Sequence, residues 1–301
     1  MTLGVPLGLG SGLCWGTADF FGGIQSRRLP ALSVVVWSQA AGALALAVAL
    51  AVQGRPPTPS GFAWGLAAGA GSGFALLLFY RGLAEGAMSV VAPIAACGAV
   101  VPVLVAPLRG ERPSALAVLG IVAAVAGVVL VSRSPDPRRY PGGFGGPQGG
   151  PPMGRAPEGQ APARVLALAL GAALGFGLFF VFVDAGTATA GASPLWVVAG
   201  ARASSLLVLV AIALAGRRAE AAWPGRRIVP VALVGIADTS ANLLFALAAT
   251  SGNLAVVGVL GSLYPVATVV LARWLLRERL SAGQNAGVLL ALTGVGLLAA
   301  G

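Results

Sequence analysis

Apolar stretches of membrane-spanning length alternate with short polar or turn-prone segments along the whole chain. A helix that crosses a bilayer needs about 20 mainly apolar residues. Measured against that length, the chain contains ten candidate helices. The pattern therefore predicts an all-α integral membrane protein whose transmembrane helices cover approximately residues 3–23, 31–52, 61–80, 87–108, 114–132, 164–184, 194–215, 228–249, 253–275 and 281–300.

One connection between the predicted helices is much longer than the others. Residues 133–163 contain eight glycines and eight prolines. That composition neither holds a helix nor supplies apolar surface for a core, so we expect a flexible linker. The linker divides the chain into a first five-helix unit at residues 1–132 and a second five-helix unit at residues 164–301.

The two halves repeat the same residue types in nearly the same register. Glu111 and Glu278 are each followed by glycines 9 and 16 residues later, and further matches occur upstream of both. Because five is odd, two copies of a five-helix unit must cross the membrane in opposite directions. The repeat therefore predicts an inverted-topology architecture, which is typical of secondary transporters. The matched positions are Gly120 with Gly287, Gly127 with Gly294, Leu78-Phe79 with Leu244-Phe245, Gly86 with Gly252, and Val90-Val91 with Val256-Val257.

The composition points to the same environment. Hydrophobic residues make up 57% of the 301 residues and charged residues only 9%, whereas a soluble domain carries roughly 25% charged residues. The lipid bilayer is thus an expected partner. Nucleic acid is not, because no stretch alternates basic and aromatic residues. No basic segment precedes the first predicted helix, so we expect it to be retained rather than cleaved as a signal peptide.

The arginines are distributed unevenly between the two sets of connections. All 19 basic residues are arginine. Apart from Arg202, 15 lie in the connections that follow odd-numbered predicted helices and three in those that follow even-numbered ones. The positive-inside rule then predicts a multi-pass protein of the cell (plasma or inner) membrane with both termini extracytoplasmic. Arg81 and Glu85 flank a short turn, and we expect them to form a solvated pair.

Arg202 and Asp238 carry opposite charges near the middle of the seventh and eighth predicted helices. A charge at the bilayer centre costs on the order of 3 kcal/mol on insertion scales, so such residues usually face a cavity or a partner. The pair is a candidate binding site, with Asn242 one turn beyond Asp238 on the same helix face. A purely structural ion pair is the alternative.

Asp19 and Trp15 lie four residues apart in the first predicted helix and therefore share a face. A carboxylate beside an aromatic ring suits a cationic or amphipathic ligand. An interfacial aspartate that contacts lipid headgroups or Arg27 is the alternative. Gln39, in the middle of the second helix, is expected to line a cavity or to bond a neighbouring helix. Tyr264 is expected to pack against the site or cap it.

Glycines and prolines punctuate several predicted helices. Glycine recurs at every fourth residue from Gly4 to Gly16 and from Gly61 to Gly73. Such ribbons let helix backbones approach closely, and a sliding surface for gating is the alternative. Each internal proline removes a backbone hydrogen bond and can break its helix, and such breaks often border transporter cavities. The candidate breaks are Pro93, Pro102 and Pro265.

Several of these features, taken in order, resemble the EamA branch of the drug/metabolite transporter (DMT) superfamily. They are Trp15-Gly16, Arg202, the turns Gly110-Glu111-Arg112 and Arg277-Glu278-Arg279, and Leu263-Tyr264-Pro265. The resemblance covers all predicted helices but not the linker. It implies a ten-helix transporter with a central cavity that moves small metabolites, often outward. Two features depart from the family pattern: the long linker, and Arg277 at a position where glycine is common.

The leading functional hypothesis is a secondary transporter of small metabolites, such as an exporter of amino acids, amines or related compounds. It would alternate access between its repeats, as monomer or homodimer, with Asp238 or Asp19 taking a proton. A passive channel, a lipid or isoprenoid-linked flippase, and an intramembrane aspartyl hydrolase are the alternatives. We expect no enzyme activity, cofactor or metal. The chain has no histidine for a zinc or serine–histidine site, and no lysine for a phosphate-binding loop.

Overall fold

The computed structural model describes residues 4–54, 56–105, 114–132, 161–189, 191, 193–216, 218–251, 264–278 and 280–300. Within these ranges the chain forms α-helices and short 3-10 turns and contains no β-strand. The α-helices are α1 Gly4–Ser26, α2 Ala31–Gln53, α3 Pro59–Glu85, α4 Met88–Ala96, α5 Val100–Val105, α6 Ala115–Ser132, α7 Ala161–Thr187, α8 Pro194–Leu214, α9 Ile228–Ser251, α10 Tyr264–Leu275 and α11 Ala282–Ala300.

Six helical segments of the described chain are long and apolar enough to cross a membrane. They are Ala31–Gln53, Pro59–Glu85, Met88–Val105, Ala163–Thr187, Pro194–Leu214 and Gly225–Phe245. Three shorter apolar helices lie within α6, α10 and α11. Helix α1 is 23 residues long, and its many glycines lower its hydropathy. The all-helical prediction is therefore confirmed, whereas the count of ten crossings stays a prediction.

The fourth predicted helix is interrupted. It consists of α4, a 3-10 turn at Cys97–Ala99 and α5. Pro102 has no amide hydrogen, so the carbonyl of Gly98 lacks its usual helical partner, and a tighter turn at this point is the expected consequence. Pro93 lies inside α4, and Pro265 is the second residue of the described α10.

Helices α6 and α11 pack against each other through reciprocal glycine contacts. Gly127 touches Gly287 and Ala291 of α11, and Gly294 touches Gly120 and Ala124 of α6. The later glycine of each helix therefore meets the earlier glycine of its partner, which means that the two helices run antiparallel. Each contact becomes the other when the two halves of the chain are exchanged.

Helices of one half pack mainly against helices of the other half. Helix α1 contacts α9 and α10, and the corresponding helix α7 contacts α3 and α4. Helix α3 likewise packs against α8, as α9 packs against α2. Glycines bring these backbones together: Gly69 lies against the carbonyl of Ala201, and Gly235 lies against the carbonyl of Ser38. A shared core therefore joins the halves.

One end of the bundle is held together by charged side chains. We call it the arginine-rich end, and its described residues are 27–30, 81–87, 218–227 and 276–278. Arg27 forms an ion pair with Glu278 at 3.2 Å. It also donates hydrogen bonds to the carbonyls of Leu83 and Gly86 at the end of α3. Both carboxylate oxygens of Glu278 in turn accept hydrogen bonds from backbone amides at the start of α4, at 3.1 and 2.9 Å.

The surface pair expected between Arg81 and Glu85 does not form. Arg81 instead pairs with Glu220 and Glu85 pairs with Arg164, both at 2.9 Å. Each of these ion pairs joins the first half of the chain to the second, because the neighbouring helices in this bundle come from opposite halves. Sequence proximity alone could not reveal that arrangement.

Candidate functional site

A cavity of about 110 Å³ lies in the middle of the bundle, among helices of both halves. All seven residues proposed from the sequence as binding or coupling candidates line it. Its lining residues are Trp15, Asp19, Gln39, Ser72, Leu76, Phe176, Phe179, Phe180, Val198, Ala201, Arg202, Ser205, Asp238, Asn242 and Tyr264.

Arg202 on α8 joins three helices at the cavity wall. Its Nη2 atom lies 2.8 Å from Oδ2 of Asp238 on α9, and its Nη1 donates a 2.6 Å hydrogen bond to Oε1 of Gln39 on α2. Gln39 therefore both lines the cavity and bonds a neighbouring helix. Only 7% of the Arg202 side chain is exposed, and a charge this buried requires both a counter-ion and hydrogen-bond partners.

Asn242 lies one turn after Asp238 and bonds within its own helix. Its Nδ2 donates to the main-chain carbonyl of Asp238 at 2.7 Å. The residue also lines the cavity beside Asp238. The three polar residues Arg202, Asp238 and Asn242 thus form one continuous polar wall.

Asp19 lies within the bundle, where its side chain faces the cavity. The residue is 8% exposed, and among the described residues none donates a hydrogen bond to its carboxylate or forms an ion pair with it. Arg27, the partner considered from the sequence, is engaged with Glu278 and the end of α3. The structure therefore places Asp19 in the cavity wall rather than beside Arg27.

Trp15 and Tyr264 lie beside Asp19. The Trp15 ring is 5.5 Å from that of Phe245 and 6.3 Å from that of Tyr264, measured between ring centres. The close approach of α1 and α10 sets this geometry, because Gly16 lies against the carbonyl of Tyr264. The Thr268 hydroxyl donates a 3.0 Å hydrogen bond to the carbonyl of Gly16 and fixes the contact.

Equivalent positions of the two halves can be matched through their packing. Gly10 of α1 contacts Leu244, and Gly171 of α7 contacts Leu78. The ring centres of Trp15 and Phe245 are 5.5 Å apart, and those of the corresponding residues Phe176 and Phe79 are 5.6 Å apart. Because both contacts are the same in the two halves, Trp15 of the first half and Phe176 of the second occupy equivalent positions.

The same matching extends to the rest of the cavity. Gly69 packs on Ala201 as Gly235 packs on Ser38, which aligns α3 with α9 and α2 with α8. Ten of the fifteen lining residues therefore form five pairs of counterparts, one from each half. The corresponding pairs are Trp15 with Phe176, Asp19 with Phe180, Gln39 with Arg202, Ser72 with Asp238 and Leu76 with Asn242.

A family comparison agrees with this two-part architecture. A sequence model of the EamA-like transporter family matches residues 2–133 and 163–300. The chain belongs to the EamA-like transporter family. The resemblance inferred from its turns and helices is therefore confirmed, and the protein is a multi-pass membrane protein of a family of transporters.

Solved structures extend the comparison of folds. One crystal structure has a TM-score of 0.63 and 18% sequence identity to this EamA-like transporter, over 98% of this chain and 94% of that chain. At that identity the likeness concerns the fold. No curated protein matches the sequence.

The phenylalanine and aliphatic residues of the cavity were not predicted from the sequence of this EamA-like transporter. Phe176, Phe179, Phe180 and Leu76 look like any lipid-facing residue in a hydropathy profile. The repeat supplies the missing signal, because Phe176 and Phe180 fall at the counterparts of Trp15 and Asp19. Pro93 and Pro102 are not among the described lining residues, whereas Pro265 directly follows the lining residue Tyr264.

Some motifs of the EamA-like transporter fall outside the described residues, namely Gly110-Glu111-Arg112, Leu263, Arg279 and residues 133–160 of the predicted linker. Arg277 is described and has a φ of 53°. That left-handed conformation favours glycine, which explains the family preference from which Arg277 departs. Among the described residues no cluster of three or more histidine, cysteine or acidic side chains is arranged to hold a metal ion.

Proposed function

We propose that this EamA-like transporter is a secondary carrier of small metabolites that alternates access to its central cavity, with export of amino acids, amines or related compounds as its task. The observation that carries the proposal is the cavity itself. It lies between the two halves at mid-length of the helices and contains a buried arginine, two aspartates and five aromatic rings. Binding sites between repeats are the expected arrangement for such carriers.

We propose ten crossings in two inverted five-helix repeats, and the antiparallel packing of α6 and α11 supports the inversion. Equivalent helices that run in opposite directions are what inversion requires. With the arginine-rich end in the cytoplasm, both termini lie outside. Carboxy-terminal fusions test this orientation: alkaline phosphatase should be active and green fluorescent protein dark. The reverse pattern would overturn the orientation.

Closure of the arginine-rich end supports alternating access. Phe20, Leu32, Leu83 and Met88 are fully buried at or beside that end and form an apolar layer. The ion pair of Arg27 with Glu278 joins the two halves next to this layer. Access to the cavity from the arginine-rich end requires the apolar layer and the ion pair to separate. The glycine contacts between the helices can persist during this movement.

The ion pair also distinguishes the two aspartates proposed for proton coupling. Asp238 has the Arg202 guanidinium at 2.8 Å. Asp19 has no cationic partner among the described residues, and a buried carboxylate without one is costly unless it binds a cation or a proton. Asp19 is therefore the preferred coupling residue, with Asp238 as the second candidate.

Transport by purified protein in liposomes tests the function. Uptake of amino acids, amines and nucleosides should be measured with and without an imposed pH gradient. We expect at least one solute to move, faster with the gradient, and Asp19→Asn to remove the acceleration. Glu85→Gln is the matched control, since it removes a carboxylate outside the cavity and should leave the response unchanged.

The outcomes separate the competing functions. Gradient-dependent transport that survives Asp19→Asn and Asp238→Asn together would exclude both aspartates from coupling. Flux that never saturates would favour a channel, and movement of lipid alone would favour a flippase. Peptide cleavage without solute movement would favour an aspartyl hydrolase, in which case the carrier proposal fails.

A further inference from the structure

The charges of the cavity are confined to one of two equivalent sets of positions. Asp19, Arg202 and Asp238 are charged, whereas their counterparts Phe180, Gln39 and Ser72 are not. The two halves share their helix packing, so the difference lies in the side chains alone. A ligand in this cavity therefore meets charged side chains at one set of positions and uncharged side chains at the other.

The cationic group of the polar wall is already engaged. The Arg202 guanidinium contacts the Asp238 carboxylate at 2.8 Å and the Gln39 amide oxygen at 2.6 Å. The hydroxyl of Ser205 donates to that same amide oxygen at 3.4 Å. A ligand carboxylate would have to displace Asp238 from Arg202 and would lie near two aspartates of like charge.

The Asp19 carboxylate is differently placed. It is buried at the cavity wall and has no cationic partner among the described residues. Trp15, one turn away on the same helix, presents a ring beside it, and aromatic faces attract organic cations. The opposite wall contributes Phe176, Phe179, Phe180 and Leu76, which can cover an apolar body but cannot satisfy a charge.

We propose that the cavity selects amphipathic amines, in which a single ammonium group is attached to an apolar, preferably aromatic body, over zwitterionic amino acids and over anions. Asp19 binds the ammonium, and the phenylalanines of α7 cover the apolar body. This inference rests on the proposed carrier function and narrows its substrate class. The proton assigned to Asp19 and the ammonium use the same carboxylate, so each excludes the other.

Three compounds with one aromatic body test the selectivity. Phenethylamine carries an ammonium group, 3-phenylpropionate carries a carboxylate, and the zwitterion phenylalanine carries both. Binding to the purified full-length protein in detergent should be measured by equilibrium dialysis, with excess unlabelled compound to define specific binding. We expect phenethylamine to bind roughly ten- to a hundredfold more tightly than either other compound, the range of one charge-assisted hydrogen bond.

Two variants locate the source of the preference. Asp19→Asn should lower phenethylamine affinity to that of phenylalanine, whereas Glu85→Gln should leave it unchanged. If the wild-type protein prefers phenylalanine or the anion, or binds none of the three, the amine inference is wrong whatever the variants do. Carriage of other solutes in the liposome assay would then still support the transporter function, whereas its absence would remove both proposals.

Discussion

Arg202 donates a 2.6 Å hydrogen bond to Gln39, and these two residues occupy corresponding positions in the two halves of the chain. Counterparts related by a twofold axis can touch only where both lie close to that axis. The cavity therefore lies close to the twofold axis that relates the two halves. The backbones of the two halves are equivalent around this axis, whereas the charges of their side chains are not.

The contributions of Arg202 and Asp238 to the free energy of unfolding should depend on each other. Arg202→Gln leaves the Asp238 carboxylate in the bundle without its cation, and breaking a buried pair in this way costs about 3 kcal/mol. The cost should appear as a lower free energy of unfolding in detergent. The double variant Arg202→Gln/Asp238→Asn removes both charges and should be more stable than Arg202→Gln alone. If the loss of stability in the double variant equals the sum of the losses in Arg202→Gln and Asp238→Asn, the two residues are not coupled.

The carboxylate of Glu278 should contribute more to stability than that of Glu85, although both form ion pairs at the arginine-rich end. Glu278 also accepts hydrogen bonds from the amides of Met88 and Ser89 at the start of α4. Glu278→Gln should therefore cost about 1–2 kcal/mol, as the loss of a charged helix cap does. Glu85→Gln should cost less than about 1 kcal/mol, since the side chain of its partner Arg164 is 67% exposed.

Thermal unfolding of both variants alongside the wild-type protein provides the measurement. The order of the two losses is the test: an equal or larger loss for Glu85→Gln would show that capping of α4 does not stabilise this end.

Two glycines in one turn of α3 should respond in opposite ways to the same substitution. A methyl group at Gly69 would collide with the backbone of Ala201, whereas one at Gly71 meets no atom within 4 Å. Gly69→Ala should destabilise the protein by roughly 1–3 kcal/mol through overpacking. Gly71→Ala should be neutral or stabilising by up to about 1 kcal/mol, since alanine favours a helix over glycine.

The repeat adds a further control for this pair. Gly235 meets the carbonyl of Ser38 in the equivalent contact, so Gly235→Ala should lower the melting temperature about as much as Gly69→Ala does. A tolerated alanine at either packed glycine would show that the helices can separate there.

Arg277 should be replaceable by glycine with a gain in stability. Its φ of 53° lies in the left-handed region, where a residue with a Cβ atom pays about 1 kcal/mol or more. Arg277→Gly should raise the free energy of unfolding by up to about 1 kcal/mol. Arg277→Ala removes the same charge but keeps the strained Cβ, so it should give no such gain, and an equal gain would assign the effect to charge.

Much of the helical architecture could be predicted because membrane spans carry a strong hydropathy signal. Helices α2, α8 and α9 begin at their predicted first residues and end within two residues of their predicted ends. The break at Cys97–Ala99 could not be located from hydropathy, because apolar residues continue through it. Only the positions of Pro93 and Pro102 pointed to it.

Prediction of the cavity residues was limited in a different way. Charged and polar residues such as Asp19 and Gln39 stand out in apolar helices, and all seven candidates line the cavity. Whether they bind a substrate stays a prediction. Phenylalanines that face the cavity resemble those that face lipid. The pair of Arg27 with Glu278 depends on contacts 251 positions apart, which no local pattern encodes.

The duplicated packing has a consequence for how such a protein can change over generations. The contacts of Gly69 with Ala201 and of Gly235 with Ser38 are the same in both copies, so selection for assembly acts on each of them alike. Asp19 and Phe180 occupy matching places yet share no chemistry. Under the proposed function, a mutation at one member of such a pair would alter which solute is bound, while the other member and the helix packing stay unchanged. Because the helix packing is duplicated, the same architecture can keep its shape while the residues that line one side of the cavity change.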